Sequence, residues 1–223
     1  MEEELLSKIS HCVEFGKINK AAPYPPDLKG QDGADELTKQ ALESGISPSL
    51  ILNSALIAAM ERVGQKFTER RIFVPQMLIA AKAMGAAMQH MKPYFSSGDL
   101  KRKGTFVIGT VFGDLHDIGK NLVAMMVEGS GWEVIDLGVD VKSTKFIETI
   151  EKNPGCVIGL SALLTTTMVN METIVKEIHE KYPDTTILVG GSPVSTDFCK
   201  KIGASFYSPN PQGAVEYLKA KAA

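Results

Sequence analysis

The chain has 223 residues, 44% hydrophobic and 22% charged, with a mean hydropathy of +0.01, which excludes a disordered or fibrous polymer and leaves room for one large or two small domains. Twenty-four Lys and Arg against 26 Asp and Glu give a net charge of -2, so no basic excess exists to hold nucleic acid through its phosphates. The acidic start Glu2-Glu3-Glu4 and the lack of a long uninterrupted apolar run predict neither a secretory signal nor a membrane span, hence a cytoplasmic protein without a membrane or nucleic-acid partner. Three cysteines, Cys12, Cys156 and Cys199, are odd in number, far apart and outside any CxxC pair, so they read as bystander thiols.

From Glu2 to Gly16, Leu5, Leu6, Ile9, Cys12 and Val13 recur at three- and four-residue steps, the period of one helix face. Ala21-Ala-Pro-Tyr-Pro-Pro-Asp removes three backbone donors in four positions and must be a loop, part of a Pro-rich stretch reaching Gly33. Helical periodicity returns at about Asp35–Glu43 and breaks at Gly45. It restarts with Ser47 as N-cap and Pro48 at the first helical position, giving a helix over Leu50–Phe67. A fourth helix is expected from Val74-Pro75 to about Met91, ending before Pro93, with Met77, Met84, Met88 and Met91 in its core.

The polar, Gly- and Ser-bearing stretch 96–104 separates helical from strand-like patterning. Residues 1–95 are therefore predicted as an N-terminal α-helical bundle, 96–104 as a linker and 105–223 as a second domain. In the latter, strands over Thr105–Thr110, Trp132–Leu137, Cys156–Leu160, Thr186–Val189 and Ser205–Tyr207 alternate with helices over Ile118–Ser130, Ser143–Lys152, Met168–Tyr182, Val194–Ile202 and Gln212–Lys221. Five such units specify an α/β, Rossmann-like doubly wound parallel sheet, with five strands favouring the flavodoxin-like order 2-1-3-4-5.

In such sheets ligands bind at the carboxyl ends of the strands near the switch point, which puts the site in the loops after the first, third and fourth strands. The first loop, Gly113-Asp114-Leu115-His116-Asp117-Ile118-Gly119-Lys120, has a histidine and two carboxylates where a dinucleotide binder would show GxGxxG. The third, Gly159-Leu-Ser161-Ala-Leu163-Leu-Thr165-Thr166-Thr167, gathers hydroxyls behind an apolar strand. The fourth, Gly190-Gly191-Ser192-Pro193, allows close approach to the backbone.

Taken together, Asp114-x-His116-x-x-Gly119, Ser161-x-Leu163 after 41 further residues and Gly190-Gly191 after another 26 resemble the base-off/His-on cobalamin-binding signature. Phe67-Thr-Glu-Arg-Arg-Ile-Phe-Val74-Pro75-Gln76 resembles the helical cap of methyl-transferring corrinoid proteins. The resemblance covers nearly the whole chain. It points to the small corrinoid proteins of methanol, methylamine and O-demethylase methyltransferase systems, and to the cap and cobalamin modules of methionine synthase.

A neutral imidazole suits a borderline metal, so His116 can serve as lower axial ligand to the cobalt in place of the cofactor's own base. Asp114 is placed to hold its other ring nitrogen. The resemblance implies that Thr167, where methionine synthase has serine, completes the relay. It also implies that Gly119, Ser161, Leu163, Thr165, Gly190 and Gly191 contact the cofactor's nucleotide tail and surroundings, and that Phe67 and Val74 shield its methyl-bearing face. The cofactor it implies is cobalamin, cycling between methylcobalamin and cob(I)alamin, or a related corrinoid. The 96–104 stretch is the expected hinge by which the cap swings away.

By the same resemblance, the chain carries a methyl group between a substrate-specific methyltransferase and a second methyltransferase that uses tetrahydrofolate or a thiol such as coenzyme M. A reductive activase is a further partner, and the bacterial systems it resembles favour O-demethylation. The chain is not catalytic alone. Two alternatives use the same signature: the cobalamin subunit of an adenosylcobalamin-dependent mutase and a cobalamin-sensing regulator. The helical cap and the want of a basic recognition helix count against them.

Plainer readings stand beside these. An isolated His116 would be an ordinary loop histidine, and Gly-Asp-x-His also opens a dinuclear phosphoesterase pattern. That pattern needs later ligands, and the only later histidine, His179, is expected on an exposed helix face. Asp117 and Lys120 would serve the helix start, Thr165–Thr167 would be a loop and cap, Phe67 and Val74 would be core, and the Pro-rich 21–33 segment an inert loop or a partner contact.

Overall fold

The computed structural model describes residues 2–222 and divides into two compact units, one reaching Arg102 together with Gly129–Gly131, the other made of Lys103–Glu128 and the chain from Trp132 on. The first unit is helical: α1 (Glu2–Phe15), α2 (Ala34–Glu43), α3 (Pro48–Leu50), a π-helical stretch (Ile51–Ile57), α4 (Ala58–Thr68) and α5 (Val74–Ser97). Its core is the expected set of one-face residues, with Ile9 and Val13 from α1 and Met77, Met84, Met88 and Met91 from α5 all buried. Alanines at 80, 83 and 87 interleave those methionines and let neighbouring helices approach closely. The predicted helix over Leu50–Phe67 is present but interrupted by the wider π turn, which no residue pattern announced.

Helix α5 does not stop before Pro93. It continues to Ser97, so residues 96 and 97 of the expected linker are helical, and Gly98 ends the helix in the left-handed region at φ 87°. Pro93 deprives the Gln89 carbonyl of its N–H partner, yet both residues are exposed, so water can take that place. The Pro-rich segment folds into a short 3-10 turn, Pro26–Leu28, with the buried Lys17 donating to the Ala22 carbonyl at 2.8 Å and Glu36 accepting from the Lys20 and Gly33 amides at 2.9 Å.

The second unit is β1 (Thr105–Thr110), α6 (Ile118–Gly129), β2 (Glu133–Asp136), α7 (Ser143–Lys152), β3 (Val157–Ser161), α8 (Thr165–Lys181), β4 (Ile187–Gly190), α9 (Thr196–Lys201), β5 (Phe206–Ser208) and α10 (Pro211–Ala222). All pairs are parallel and the strand order is β2-β1-β3-β4-β5, as the alternation predicts. The switch point between β1 and β3 therefore puts the loops after these two strands side by side at the carboxyl edge. Thr165–Thr167 differ from expectation: they are the first turn of α8 rather than loop, because Leu164 takes the extended N-cap conformation one residue earlier.

Glycines in the central strands make room for rings. A Cβ on Gly159 would stand 2.5 Å from Phe106 Cζ, and one on Gly109 2.8 Å from Phe146 Cζ. Gly159→Ala is expected to lower unfolding free energy by about 1–3 kcal/mol through overpacking, read from urea unfolding.

Candidate functional site

Asp114 is the centre of the carboxyl edge. Its side chain has no solvent exposure, and both oxygens are occupied by donors. Oδ1 accepts from the His116 amide at 3.1 Å and from His116 Nδ1 at 2.8 Å. Oδ2 accepts from Thr167 Oγ1 at 2.6 Å and from the amides of Leu163 and Leu164 at 2.8 and 3.4 Å. Burial alone would push this carboxyl up. The hydrogen bonds from Thr167, the Leu163 amide and His116 outweigh it and hold the group well below the ordinary carboxylate range.

An ionised Asp114 fixes the imidazole with its proton on Nδ1. The ring is half exposed, and Nε2 has no partner among the described residues, so its lone pair points away from the relay. Thr110 Oγ1, itself buried, donates to the His116 carbonyl at 2.9 Å and ties the loop back to β1. Thr167 retains the hydrogen bond expected of its hydroxyl despite the extra methyl group, because the first turn of α8 aims it at Asp114.

Around this histidine the surface is apolar. Six of the nine large exposed apolar side chains among the described residues sit here: Phe112, Leu115, Ile118, Leu163, Leu164 and Val169. Leu115 is 72% and Ile118 70% exposed. Burying one such side chain is worth about 1.5–3 kcal/mol, so a contiguous exposed group of this kind marks a ligand surface. Gly119 faces open space, with nothing within 4 Å of where a Cβ would lie. One turn on, at Val123, the same face of α6 borders a narrow cavity of about 30 Å³ also lined by Ile108, Gly159, Gly190, Ser208 and Ala214.

Ser161 ends β3, half buried, its hydroxyl without a partner among the described residues. Gly191 is obligatory for packing: φ is 125° and a Cβ would fall 1.8 Å from the Ala162 carbonyl oxygen, while Gly190 accepts from the Ala162 amide at 3.2 Å. Thr165 is exposed at the start of α8 and does not touch Asp114. Phe67 and Val74 belong to the helical unit, both half buried, on either side of a turn in which Arg70 has φ 58°. Lys120 does not serve the helix start. It is buried and paired with Asp136, and donates to Asn121 Oδ1 at 2.6 Å, whereas Asp117 does cap that turn through its carbonyl and the Asn121 amide at 2.8 Å. His179 is half buried rather than exposed, with Nε2 donating to the Thr185 carbonyl at 3.1 Å.

Sequence reasoning missed Asn170, whose Nδ2 donates to the Phe112 carbonyl at 2.7 Å, and Asp140, which holds Gly113. Asn170 follows Thr167 by three residues, so helical spacing alone puts them on one face. The described residues hold no cluster of three or more His, Cys, Asp and Glu suited to a metal ion. Burial raises all three thiols, Cys12 to about 11, in keeping with their bystander reading. Among the described residues no helix is long and apolar enough to cross a membrane.

Comparison with known proteins gives this geometry its context. Residues 104–207 and 31–92 each match a family model described as a B12 binding domain. The trimethylamine corrinoid protein of Methanosarcina barkeri is 38% identical over 191 residues, 84% of this chain and 88% of that protein. Dimethylamine corrinoid protein 1 of Methanosarcina acetivorans is 36% identical over 98% of this chain and 97% of its own. The chain belongs to the methyltransferase cognate corrinoid proteins.

Among solved structures, this corrinoid protein is similar to a chain of the methanol:cobalamin methyltransferase complex of Methanosarcina barkeri, with TM-score 0.83 and 27% identity over all of this chain and 81% of that one. It is also similar to a cobalamin-binding protein from Desulfitobacterium hafniense DCB-2, with TM-score 0.73 and 27% identity over 99% and 98%. The corrinoid protein's own residues fit its cofactor: an imidazole Nε2 without a partner among the described residues, an apolar collar for a flat macrocycle, and Gly119 with open space beside it.

The depressed Asp114 carboxyl has a consequence for stability. Its contribution is complete above the ordinary aspartate value of about 4 and is lost as pH falls through the lower folded value. Urea unfolding of the apoprotein from pH 7 to 3 should therefore show a decline that is shallower in Asp114→Asn, which is already weaker by about 2 kcal/mol at pH 7.

Proposed function

We propose that this corrinoid protein holds its cofactor base-off/His-on, with His116 Nε2 as lower axial ligand to cobalt, and carries a methyl group between two partner enzymes. The observation that supports this most is the buried, ionised Asp114 fixing Nδ1 while Nε2 faces outward from an apolar collar. A bound corrinoid supplies a cobalt that accepts and returns a methyl group.

The chain's own groups tune that cobalt. Asp114 keeps the proton on Nδ1 and raises the basicity of Nε2. Thr167 holds its hydroxyl proton toward Asp114 Oδ2 and keeps that carboxylate from rotating. Gly119, Ser161, Leu163, Thr165, Gly190 and Gly191 are proposed to receive the nucleotide tail and the edge of the macrocycle. Phe67 and Val74, on the cap motif they match, are proposed to exclude water from the opposite face. Residues after Gly98, up to 104, form the proposed hinge of a cap domain over 1–95.

The donor-side partner is a substrate-specific methyltransferase, and the acceptor-side partner uses tetrahydrofolate or a thiol. The named relatives support a tri- or dimethylamine donor, and O-demethylation is the donor class that the sequence resemblance alone favours. Specificity resides in the partner enzyme, so an assay pairing this chain with each class of methyltransferase decides the donor.

Reconstitution with cobalamin and 15N-histidine labelling tests the ligand. The cobalt(II) state should show nitrogen superhyperfine splitting in electron paramagnetic resonance that changes with 15N and is absent in His116→Ala. A spectrum indifferent to His116 defeats the reading. Gly119→Leu should leave the apoprotein's melting midpoint unchanged, since it faces open space, yet reduce cobalamin uptake by about tenfold or more.

A further inference from the structure

Besides the Thr110 hydroxyl on the His116 carbonyl and the Asp114 amide on the Val111 carbonyl, the backbone that carries Asp114 and His116 is held from the loop after β2. Gly113 has φ 81°, and its amide donates to one acceptor among the described residues, Asp140 Oδ1 at 2.7 Å. The next carbonyl, that of Asp114, accepts from one donor among the described residues, the Asp140 amide at 3.0 Å. One residue of the loop after β2 thus grips the Gly113–Asp114 segment from both sides, with a carboxylate for the N–H and an amide for the C=O.

Asp140 adopts an unfavourable backbone conformation to do this. Its φ is 57°, in the left-handed region that costs a residue with a Cβ, and glycine would occupy it more cheaply. The side chain is exposed, so core packing does not explain an aspartate here. Strain of this kind persists where the surroundings fix it and gathers at functional sites. The surroundings do fix it: the Thr110 amide donates to the Gly138 carbonyl at 3.0 Å and the Val141 amide to the Thr110 carbonyl at 2.9 Å, so the chain on both sides of Asp140 is stitched to the end of β1.

We infer that Asp140 is a positioning residue for the axial histidine: its two hydrogen bonds fix the Gly113–Asp114 backbone, and so set where the Asp114 carboxylate, anchored at Oδ2 by Thr167 and the Leu163 amide, meets His116 and holds it in the orientation and tautomer that ligate cobalt. Two residues separate the gripped amide of Gly113 from the imidazole of His116, and the only intermediary with a fixed side chain is Asp114. A loosened grip lets the Asp114 backbone shift while Oδ2 stays held by Thr167 and the Leu163 amide, so the strain falls on the Oδ1–Nδ1 hydrogen bond at 2.8 Å. This inference rests on the His116 reading above, and the test separates the two.

Asp140→Asn retains the acceptor and tolerates the left-handed backbone; Asp140→Gly relieves the strain and removes the acceptor. Both full-length variants are compared with the parent, first without cofactor. In Asp140→Gly the Gly113 amide should exchange about tenfold faster, and the His116 15N shifts should move from one tautomer toward a mixture, with the melting midpoint little changed. After reconstitution with cobalamin, the ratio of nitrogen-ligated to nitrogen-free cobalt(II) should fall about tenfold. The cobalt(II)/cobalt(I) potential should become less negative by the equivalent of that factor, about 59 mV for one electron. Asp140→Asn should match the parent throughout.

Unchanged Gly113 exchange and His116 shifts in Asp140→Gly overturn the inference, as does an unchanged spectrum and potential. A fall in melting midpoint with neither local change would assign Asp140 a structural part only and also overturn it. Should the parent show no His116-dependent splitting, the axial-ligand reading fails, and the cofactor-free comparison still decides whether Asp140 positions His116.

Discussion

The site depends on one buried charge. A carboxylate removed from water costs far more than a neutral group unless every lone pair finds a donor, and Asp114 has five within reach, from the two loops that flank the switch point and the first turn of α8. Satisfying it forces those elements together. The loop after β1 must turn back so that His116 can donate twice, Leu163 and Leu164 must present their amides in sequence, and α8 must begin at Thr165 so that Thr167 points inward. The geometry of the histidine follows from the electrostatics of the aspartate.

The parallel sheet makes that arrangement possible by placing two loops that are far apart in sequence at adjacent strand ends. Residues 114 and 167 meet only because β1 and β3 are neighbours while β2 lies on the far side of β1. The same topology leaves the collar exposed. Phe112 and Leu115 come from one loop, Leu163 and Leu164 from the other, and none can reach the hydrophobic interior because the sheet ends beneath them. An apolar surface around a polar ligand atom is what a flat metal macrocycle requires. Soluble folds rarely leave such a surface uncovered.

Much of this was legible along the chain. Alternation of short apolar runs with amphipathic stretches specified the five-stranded sheet and its order, and the spacing of Asp114, His116, Gly119, Ser161, Leu163, Gly190 and Gly191 singled out the carboxyl edge at which the site is proposed. The misplaced boundaries have local physical causes. Pro93 did not end α5 because its orphaned carbonyl lies on the solvent side. Thr165 entered a helix because Leu164, not a hydroxyl residue, occupies the cap. Lys120 was read as a helix-start residue, since a sequence shows a lysine's charge and not the Asp136 that lies across from it.

The sequence by itself determined the period of each element, the apolar faces that must be covered and the identity of the chemical groups available, because these depend on neighbours three, four or two residues away. It also identified the residues whose types suit a cobalt ligand and its hydrogen-bonded partner. Only the tertiary structure decided which donors converge on Asp114, that Asn170 and Asp140 hold the loop that bears the histidine, and that Nε2 faces outward. Those contacts join residues about 25 to 60 positions apart, and the direction of a hydrogen bond between them is set by strand adjacency and helix placement, which no local pattern encodes.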